Sequence, residues 1–187
     1  MKSHKNSEIQ ENIGLLHDSD LEVRLKAIRT LGIIGDANTV TTLLELLDDP
    51  DIASQPYKYA VYSDTLFSLQ FLLTQFPNQK AEEKLIQILT DKSEIHDGYR
   101  AWCAEVLGNI NSKKAFPILI EMLTSAPPRV QETAAFALGL MGDEAALPAL
   151  QNLVSHQAVS AENAKVIKEA NEAIQRIISR QKREGLP

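Results

Sequence analysis

The chain has 187 residues and a formal net charge of −6, with 44% hydrophobic and 24% charged residues. This composition is typical of a folded globular chain and argues against a collagen-like, fibrous or disordered one. The acidic balance opposes general attraction to phosphate backbones, so we expect no nucleic acid partner.

After an opening helical segment, SEIQENIGLLHD, a ten-residue pattern occurs five times, and two of its copies are degenerate. The copies are VRLKAIRTLG at 23–32, VYSDTLFSLQ at 61–70, YRAWCAEVLG at 99–108, VQETAAFALG at 130–139 and VIKEANEAIQ at 166–175. Positions one, five and nine form an apolar stripe, because residues four apart lie along one side of a helix. Each copy therefore predicts a helix that needs a neighbour to cover it.

A second apolar segment follows each of the first four copies and predicts a second helix, antiparallel to the first. These segments are TVTTLLELLDD, AEEKLIQILTD, KAFPILIEMLTS and ALPALQNLVSH. The unit is thus a helical hairpin, and stacking several of them buries the stripes in one continuous core. No period-two pattern stands beside turn signals, so we expect almost no β structure. The predicted fold is an all-α, right-handed α-solenoid of about four to five hairpins.

Small residues and start signals refine this prediction. The small residues at position five should let a neighbouring helix approach closely, as should the glycines that follow position nine, Gly32, Gly108 and Gly139. Ser19-x-x-Glu22 predicts a capping box before the first copy. Pro127 and Pro128 predict the start of the fourth copy, and Ser112 is placed to cap the helix that follows the third.

At these residues the chain resembles the HEAT-repeat family, specifically the short-repeat branch named after phycobilisome lyases, whose pattern is approximately V-R-x-x-A-A-x-A-L-G-x-x-G-D. The best matches are VRLKAIRTLGIIGD at 23–36 and VQETAAFALGLMGD at 130–143, whereas the third copy has Asn111-Ser112 in place of Gly-Asp. We predict a single HEAT-like domain, 1–187. Its repeats are approximately a half-repeat cap at 7–20, hairpins at 21–50, 57–92, 98–125 and 128–156, and a capping helix at 161–183.

Reactive side chains are few, and we expect no enzyme, no cofactor and no metal. His17-Asp18 and His96-Asp97 lie more than two repeats apart, whereas a metal site needs three or four converging ligands. Cys103, the single cysteine, occupies position five and should be a small core residue. A lone cysteine forms no intramolecular disulfide, no apolar run approaches the roughly 20 residues that cross a bilayer, and the polar start lacks a secretory signal. We therefore expect a cytoplasmic protein that does not bind membranes.

Acidic residues recur in the connections from second to first helices. They are Asp18, Asp20, Asp48, Asp49, Asp51, Asp91, Glu94 and Asp97. Such a ridge would attract a basic partner. The alternative is that these carboxylates cap helix N-termini and need no partner.

Aromatic side chains suggest where a partner binds. All four tyrosines and the only tryptophan lie at the beginnings of the second and third copies, and Trp102 occupies position four, which is otherwise mainly polar. We predict that Tyr57, Tyr59, Tyr62 and Trp102 form a partner-binding patch. Two alternatives stay open: these rings only cover long loops, or the partner contacts a concave face of second helices.

The resemblance implies a non-catalytic protein-interaction scaffold, adaptor or assembly factor. Its partner would be another protein of unknown identity, and the chain would be a monomer or part of a hetero-complex. The alternative from the same resemblance is a phycobilin lyase, or a chaperone-like factor in bilin attachment or phycobilisome turnover. A third reading, recognition of DNA lesions by a HEAT-like fold, requires a basic groove, which the acidic composition disfavours.

Overall fold

The computed structural model describes residues 2–91, 97–156 and 163–185, and these ranges contain helices and no strand. The α-helices are α1 Lys2–Gly14, α2 Leu21–Ile34, α3 Ala37–Glu45, α4 Pro50–Ala53, α5 Lys58–Gln75, α6 Gln79–Thr90, α7 Asp97–Asn109, α8 Phe116–Ser125, α9 Pro128–Met141, α10 Leu147–His156 and α11 Ala164–Glu184. A 3-10 turn, Glu144–Ala146, leads into α10. The all-α prediction is confirmed.

The chain divides into two compact units, Met1–Glu83 and Lys84–Pro187, called here the first and the second unit. In the first unit α2 packs against α1 and α5, and α3 and α4 also pack against α5. In the second unit α9 packs against α7, α8 and α11, while α10 packs against α8 and α11. The same arrangement occurs in both units. Each helix that carries an apolar stripe contacts the next stripe helix along the chain, and the second helix that lies between them in sequence packs against the later of the two.

The predicted stripes are buried. Position nine is fully buried at Leu31, Leu69, Leu107 and Leu138, and nearly so at Ile174. Burying a leucine side chain contributes about 1.5 to 3 kcal/mol, so these positions anchor the interior of both units. Position one is also buried in every copy except the first, where Val23 is half-buried.

Glycine after position nine allows close helix contact, as predicted. A Cβ atom added to Gly32 would lie 2.7 Å from the Cβ of Ser68, and one added to Gly108 would lie 2.7 Å from the Cα of Ala137. The same addition at Gly139 would lie 2.8 Å from the Cα of Ala173. In all three pairs the glycine faces position eight of the next copy, where a small residue stands because no larger one fits beneath the neighbouring backbone.

Neighbouring stripe helices run in the same direction. In the first unit the Arg24 guanidinium lies over the ring of Tyr57, and Arg29 pairs with Asp64 further along both helices. The hydroxyl of Ser68 also donates a 3.0 Å hydrogen bond to the backbone oxygen of Ile28, in the middle of α2. Consecutive stripe helices therefore lie side by side with an offset, so that position seven of the first copy, Arg29, borders position four of the second, Asp64.

Two of the predicted helix starts are wrong in detail. Asp20, not Ser19, is the N-cap of α2, and its carboxylate accepts from the backbone N–H of Glu22. Ser112 accepts from the N–H of Ala115, but α8 begins only after a further turn, at Phe116. Aspartate is as good a cap as serine, so adjacent candidates cannot be separated by residue type. The start of α9 at Pro128 is confirmed.

The third copy departs from the repeat pattern in sequence but keeps the left-handed backbone conformation found after α9. Gly142 ends α9 in the left-handed region with φ 71°, and Asn111, which stands in its place after α7, has φ 53°. Asparagine tolerates this conformation better than other residues with a side chain. Ser112 then takes the place of Asp143, since each accepts a hydrogen bond from a backbone N–H that follows.

Candidate functional site

The three predicted tyrosines lie at the start of α5, where Tyr59 and Tyr62 contact each other. Tyr57 is the N-cap residue of α5 and lies under the guanidinium of Arg24, 4.6 Å from ring centre to cation. Tyr59 and Tyr62 meet edge to face, with ring centroids 6.3 Å apart. Tyr62 is only 6% exposed, and burial, followed by the nearby negative charge of Asp48, raises the pKa of its hydroxyl. A partner would reach this cluster through Tyr57 and Tyr59.

Trp102 lies in the second unit, half-buried on α7, where it lines an open groove of about 840 Å³ between α7, α9 and α11. We call this the α7 groove. Its lining includes Trp102, Glu105, Glu132, Thr133, Phe136 and Glu169. The predicted patch thus draws its tyrosines from one unit and its tryptophan from the other, and a single surface made of all four stays a prediction.

Charges in the α7 groove are paired unevenly. Arg176 donates to the carboxylate of Glu169 at 2.7 Å and lies over the Phe136 ring at 5.0 Å. Glu105, by contrast, is half-buried, and its carboxylate has no hydrogen bond or ion pair among the described residues. Burial raises the pKa of Glu105, since no cation offsets the loss of water. The groove therefore combines aromatic surface with an uncompensated carboxylate.

A second exposed surface, missed by the sequence analysis, lies in the first unit. Ile33 on α2 is 81% exposed, and Phe67 and Phe71 on α5 are 57% and 46% exposed. The two rings meet edge to face with centroids 4.9 Å apart. We call Phe67 and Phe71 the phenylalanine patch. The signal available in the sequence was that position seven of the second copy, Phe67, and the residue just after that copy, Phe71, are both aromatic and lie outside the stripe.

Two of the acidic residues in these connections cap helices. Asp20 and Asp49 are the N-caps of α2 and α4, and Asp18 accepts from the N–H of Asp20. Asp49 also lies 3.5 Å from the imidazole of His17. These bonds support the capping alternative. Glu94 lies outside the described residues, as does the side chain of Asp97.

The candidate reactive residues are Cys103 and the side chains that could bind a metal ion. Cys103 is fully buried, and this burial strongly raises the pKa of its thiol. Fewer than three histidine, cysteine, aspartate or glutamate side chains converge anywhere among the described residues in a way that could hold a metal ion. His96, one of the two histidines in the predicted His-Asp pairs, lies outside the described residues.

Comparison with protein families matches this architecture. The family model for HEAT repeats matches residues 5–55 and 82–174, which is most of the chain, and leaves out the degenerate second copy. A comparison with curated proteins gave no match. None of the helices in the described part of the chain is long and apolar enough to cross a membrane. The chain belongs to the HEAT-repeat family.

Proposed function

We propose that this protein is a non-catalytic scaffold that binds another protein, as an adaptor or assembly factor. HEAT repeats are typical of protein-interaction scaffolds, and the phenylalanine patch is the observation that carries the proposal for this chain. Soluble proteins that expose a contiguous apolar cluster generally use it for contact with a partner. The aromatic rings Phe67 and Phe71 are the side-chain type that dominates binding energy at such contacts.

The exposed area of each ring determines how much binding energy the phenylalanine patch supplies. A phenylalanine exposes on the order of 200 Å² when free, so covering the exposed half of one ring contributes about 2 kcal/mol. Two adjacent rings therefore supply enough binding energy to act as a hot spot. Their edge-to-face contact also holds both rings in place, which reduces the entropy lost on binding.

The test compares two double variants of α5. Proteins captured from the native host by the wild-type chain are purified, and their Kd is measured for Phe67→Ser/Phe71→Ser and for the control Thr74→Ser/Gln75→Ser. The control residues are exposed on the same helix. We expect the phenylalanine variant to bind about 1,000-fold more weakly, because about 2 kcal/mol is lost for each ring, and the control to bind as the wild type does. Equal affinity of all three proteins would remove the patch from the interface.

The same partner tests the predicted aromatic patch. Trp102→Ala combined with Tyr59→Ala should weaken binding if those side chains contact the partner. A folded double variant with unchanged affinity would direct attention to the phenylalanine patch or to the face formed by the second helices. Circular dichroism and thermal melting establish that each variant is folded before affinity is compared.

Absence of catalysis is part of the proposal, and Cys103 is its main test. A buried thiol with a raised pKa holds too little thiolate to act as a nucleophile at neutral pH. We expect Cys103 in the native protein to react with a thiol reagent at least about 100-fold more slowly than in denaturant. Rapid labelling of the native protein would contradict the non-catalytic assignment.

The pigment-related alternative draws on the resemblance to phycobilisome-lyase repeats and on one feature of the α7 groove. Arg129 and Lys165 are exposed at its edge and pair with no carboxylate among the described residues, so they could receive the propionate groups of a bilin. Mixing the purified protein with a bilin tests this function. A shifted visible absorption band that Arg129→Gln/Lys165→Gln abolishes would support it, and an unchanged spectrum would exclude it.

A further inference from the structure

The contacts between consecutive stripe helices place position seven of one copy beside position four of the next, and this pair differs along the chain. Between α2 and α5, Arg29 pairs with Asp64 at 2.7 Å. Between α9 and α11, Phe136 stands near Glu169, and the carboxylate is neutralised by Arg176. In both places a guanidinium pairs with the acidic side chain.

Between α7 and α9 the guanidinium is missing. Position seven is Glu105 and position four is Thr133, so a carboxylate stands where α2 carries an arginine. Glu132 adds a second carboxylate in the same groove, and like Glu105 it has no ion pair among the described residues. Arg129, at the rim, is exposed and pairs with neither of them. Lys165 is also exposed at the rim and forms no ion pair among the described residues, so Glu105 and Glu132 lack a salt bridge although two cations lie at the edge of the groove.

Aromatic surface borders this charge. Trp102 lies one helical turn before Glu105 on α7, and Phe136 lies one turn after Glu132 on α9. Neighbours three or four residues apart lie on the same side of a helix, so each carboxylate shares its surface with a ring. A flat cation that stacks on a ring while it donates to a carboxylate satisfies both features, and a guanidinium is such a group. The chain already contains this arrangement once, where Arg176 covers Phe136 and binds Glu169.

We propose that the α7 groove binds an arginine side chain of a protein partner, with the guanidinium stacked on Trp102 and paired with Glu105. The proposal rests on the scaffold function and adds the chemistry that the groove recognises. Arginine is favoured over lysine because its planar group stacks on indole and donates two parallel hydrogen bonds to one carboxylate. The half-buried position of Glu105 strengthens the pairing, since water screens the charge less there than on an open surface.

The test uses the only tryptophan of the chain as its reporter. The full-length protein is titrated with a short synthetic peptide that carries one arginine between glycines. The same peptide with citrulline, which keeps the shape but lacks the charge, and with lysine serve as comparisons. Trp102 fluorescence and amide chemical shifts of the labelled protein report binding. We expect the arginine peptide to bind with the largest shifts on α7 and α9, and the citrulline peptide to bind about tenfold more weakly.

Two isosteric variants assign the effect. Glu105→Gln removes the charge without changing shape and should weaken the arginine peptide about tenfold, while the citrulline peptide is unaffected. Glu121→Gln, on the exposed side of α8 and outside the groove, should change neither affinity. Equal binding of arginine and citrulline, or an arginine affinity that Glu105→Gln leaves unchanged, would overturn the proposal.

The outcomes also separate this proposal from its alternatives. A bilin that quenches Trp102 while the arginine peptide has no effect would show that a pigment, not arginine, occupies the groove. A partner that is captured by the wild-type protein and released by the Phe67→Ser/Phe71→Ser variant, while the arginine peptide fails to bind, would sustain the scaffold function and overturn only the arginine site. Binding of the arginine peptide that Glu105→Gln weakens would support the arginine site whether or not a partner has been captured.

Discussion

The α2–α5 contact of the first unit and the α7–α9 contact of the second are built alike inside and differently outside. Gly32 lies against Ser68 and Gly108 against Ala137, at the same position of the repeat and with the same close approach. Outside, the first contact is closed by the Arg29–Asp64 pair, whereas the second presents Glu105 without a cation. The neighbouring helix therefore restricts which residue fits at an interior position. Outer positions can differ between copies because solvent accepts any polar group there.

The interior likeness has one polar exception. Ser68 brings a hydroxyl into the closest contact of the first unit and donates it to the backbone oxygen of Ile28 at 3.0 Å. Ala137 has no polar atom in its side chain to satisfy. A buried hydroxyl is tolerated because it is hydrogen-bonded, and an alanine needs no such partner. The two contacts thus reach the same separation by different side-chain chemistry.

The largest predicted effect contrasts an interior position with an outer one. Leu138→Ala should lower the free energy of unfolding by about 2 to 5 kcal/mol, because it removes a fully buried leucine and leaves a cavity. Ile33→Ala, at an outer position 81% exposed, should change it by less than about 0.5 kcal/mol. Denaturant unfolding measures both. A loss below about 1 kcal/mol for Leu138→Ala would contradict the assigned repeat register.

The next prediction concerns the glycine contacts. Gly108→Ala should destabilise the protein by about 1 to 3 kcal/mol, because the added methyl group meets the Ala137 backbone, which cannot move aside without separating two helices. Gly32→Ala should cost a similar amount against Ser68. Gly14→Ala is the matched control, since nothing lies within 4 Å of its added Cβ.

Thermal and denaturant unfolding of the three glycine variants decide the matter. The control should be neutral or stabilising by a few tenths of a kcal/mol, because alanine favours the helix more than glycine does. If Gly108→Ala behaved like Gly14→Ala, close approach would not be the reason for glycine at this position of the repeat.

The smallest predicted effect distinguishes two equivalent turns by their pH dependence. The backbone N–H of Thr39 donates to Asp36 and lowers the pKa of that carboxyl, whereas at the corresponding position after α7 the hydroxyl of Ser112 accepts from the N–H of Ala115. Asp36→Ala and Ser112→Ala should each cost about 1 kcal/mol near neutral pH. Since the folded-state pKa of Asp36 lies below its unfolded value of 3.8, its contribution is present above that pH and is lost as the pH falls through the lowered pKa.

Unfolding curves between pH 7 and pH 2 separate the two turns. The stability difference between the wild type and Asp36→Ala should shrink toward the acid end. The difference for Ser112→Ala should stay constant, because a hydroxyl does not titrate in this range. A constant difference for Asp36→Ala would mean that its carboxylate is not the group that caps α3.

Much of the fold follows from local pattern. Positions one, five and nine of each copy predict one side of a helix, and the burial of Leu31, Leu107 and Leu138 confirms it. The third copy was noted only as a departure from the pattern, and the structure shows that Asn111 adopts the left-handed conformation that Gly142 adopts after α9. Helix ends were less predictable, since Ser19 and Asp20 are both good caps and only the path of the chain selects one.

The sequence by itself determined the repeat, the helices and the inner face of each one, because periodicity is a property of neighbouring residues along the chain. Only the tertiary structure decided which outer side chains lack a partner. Phe67 and Phe71 stay exposed, and Glu105 lacks the cation that Arg176 provides to Glu169, for reasons that depend on the adjacent helix. Burial and pairing are relations between elements distant in sequence, so a pattern within one element cannot contain them.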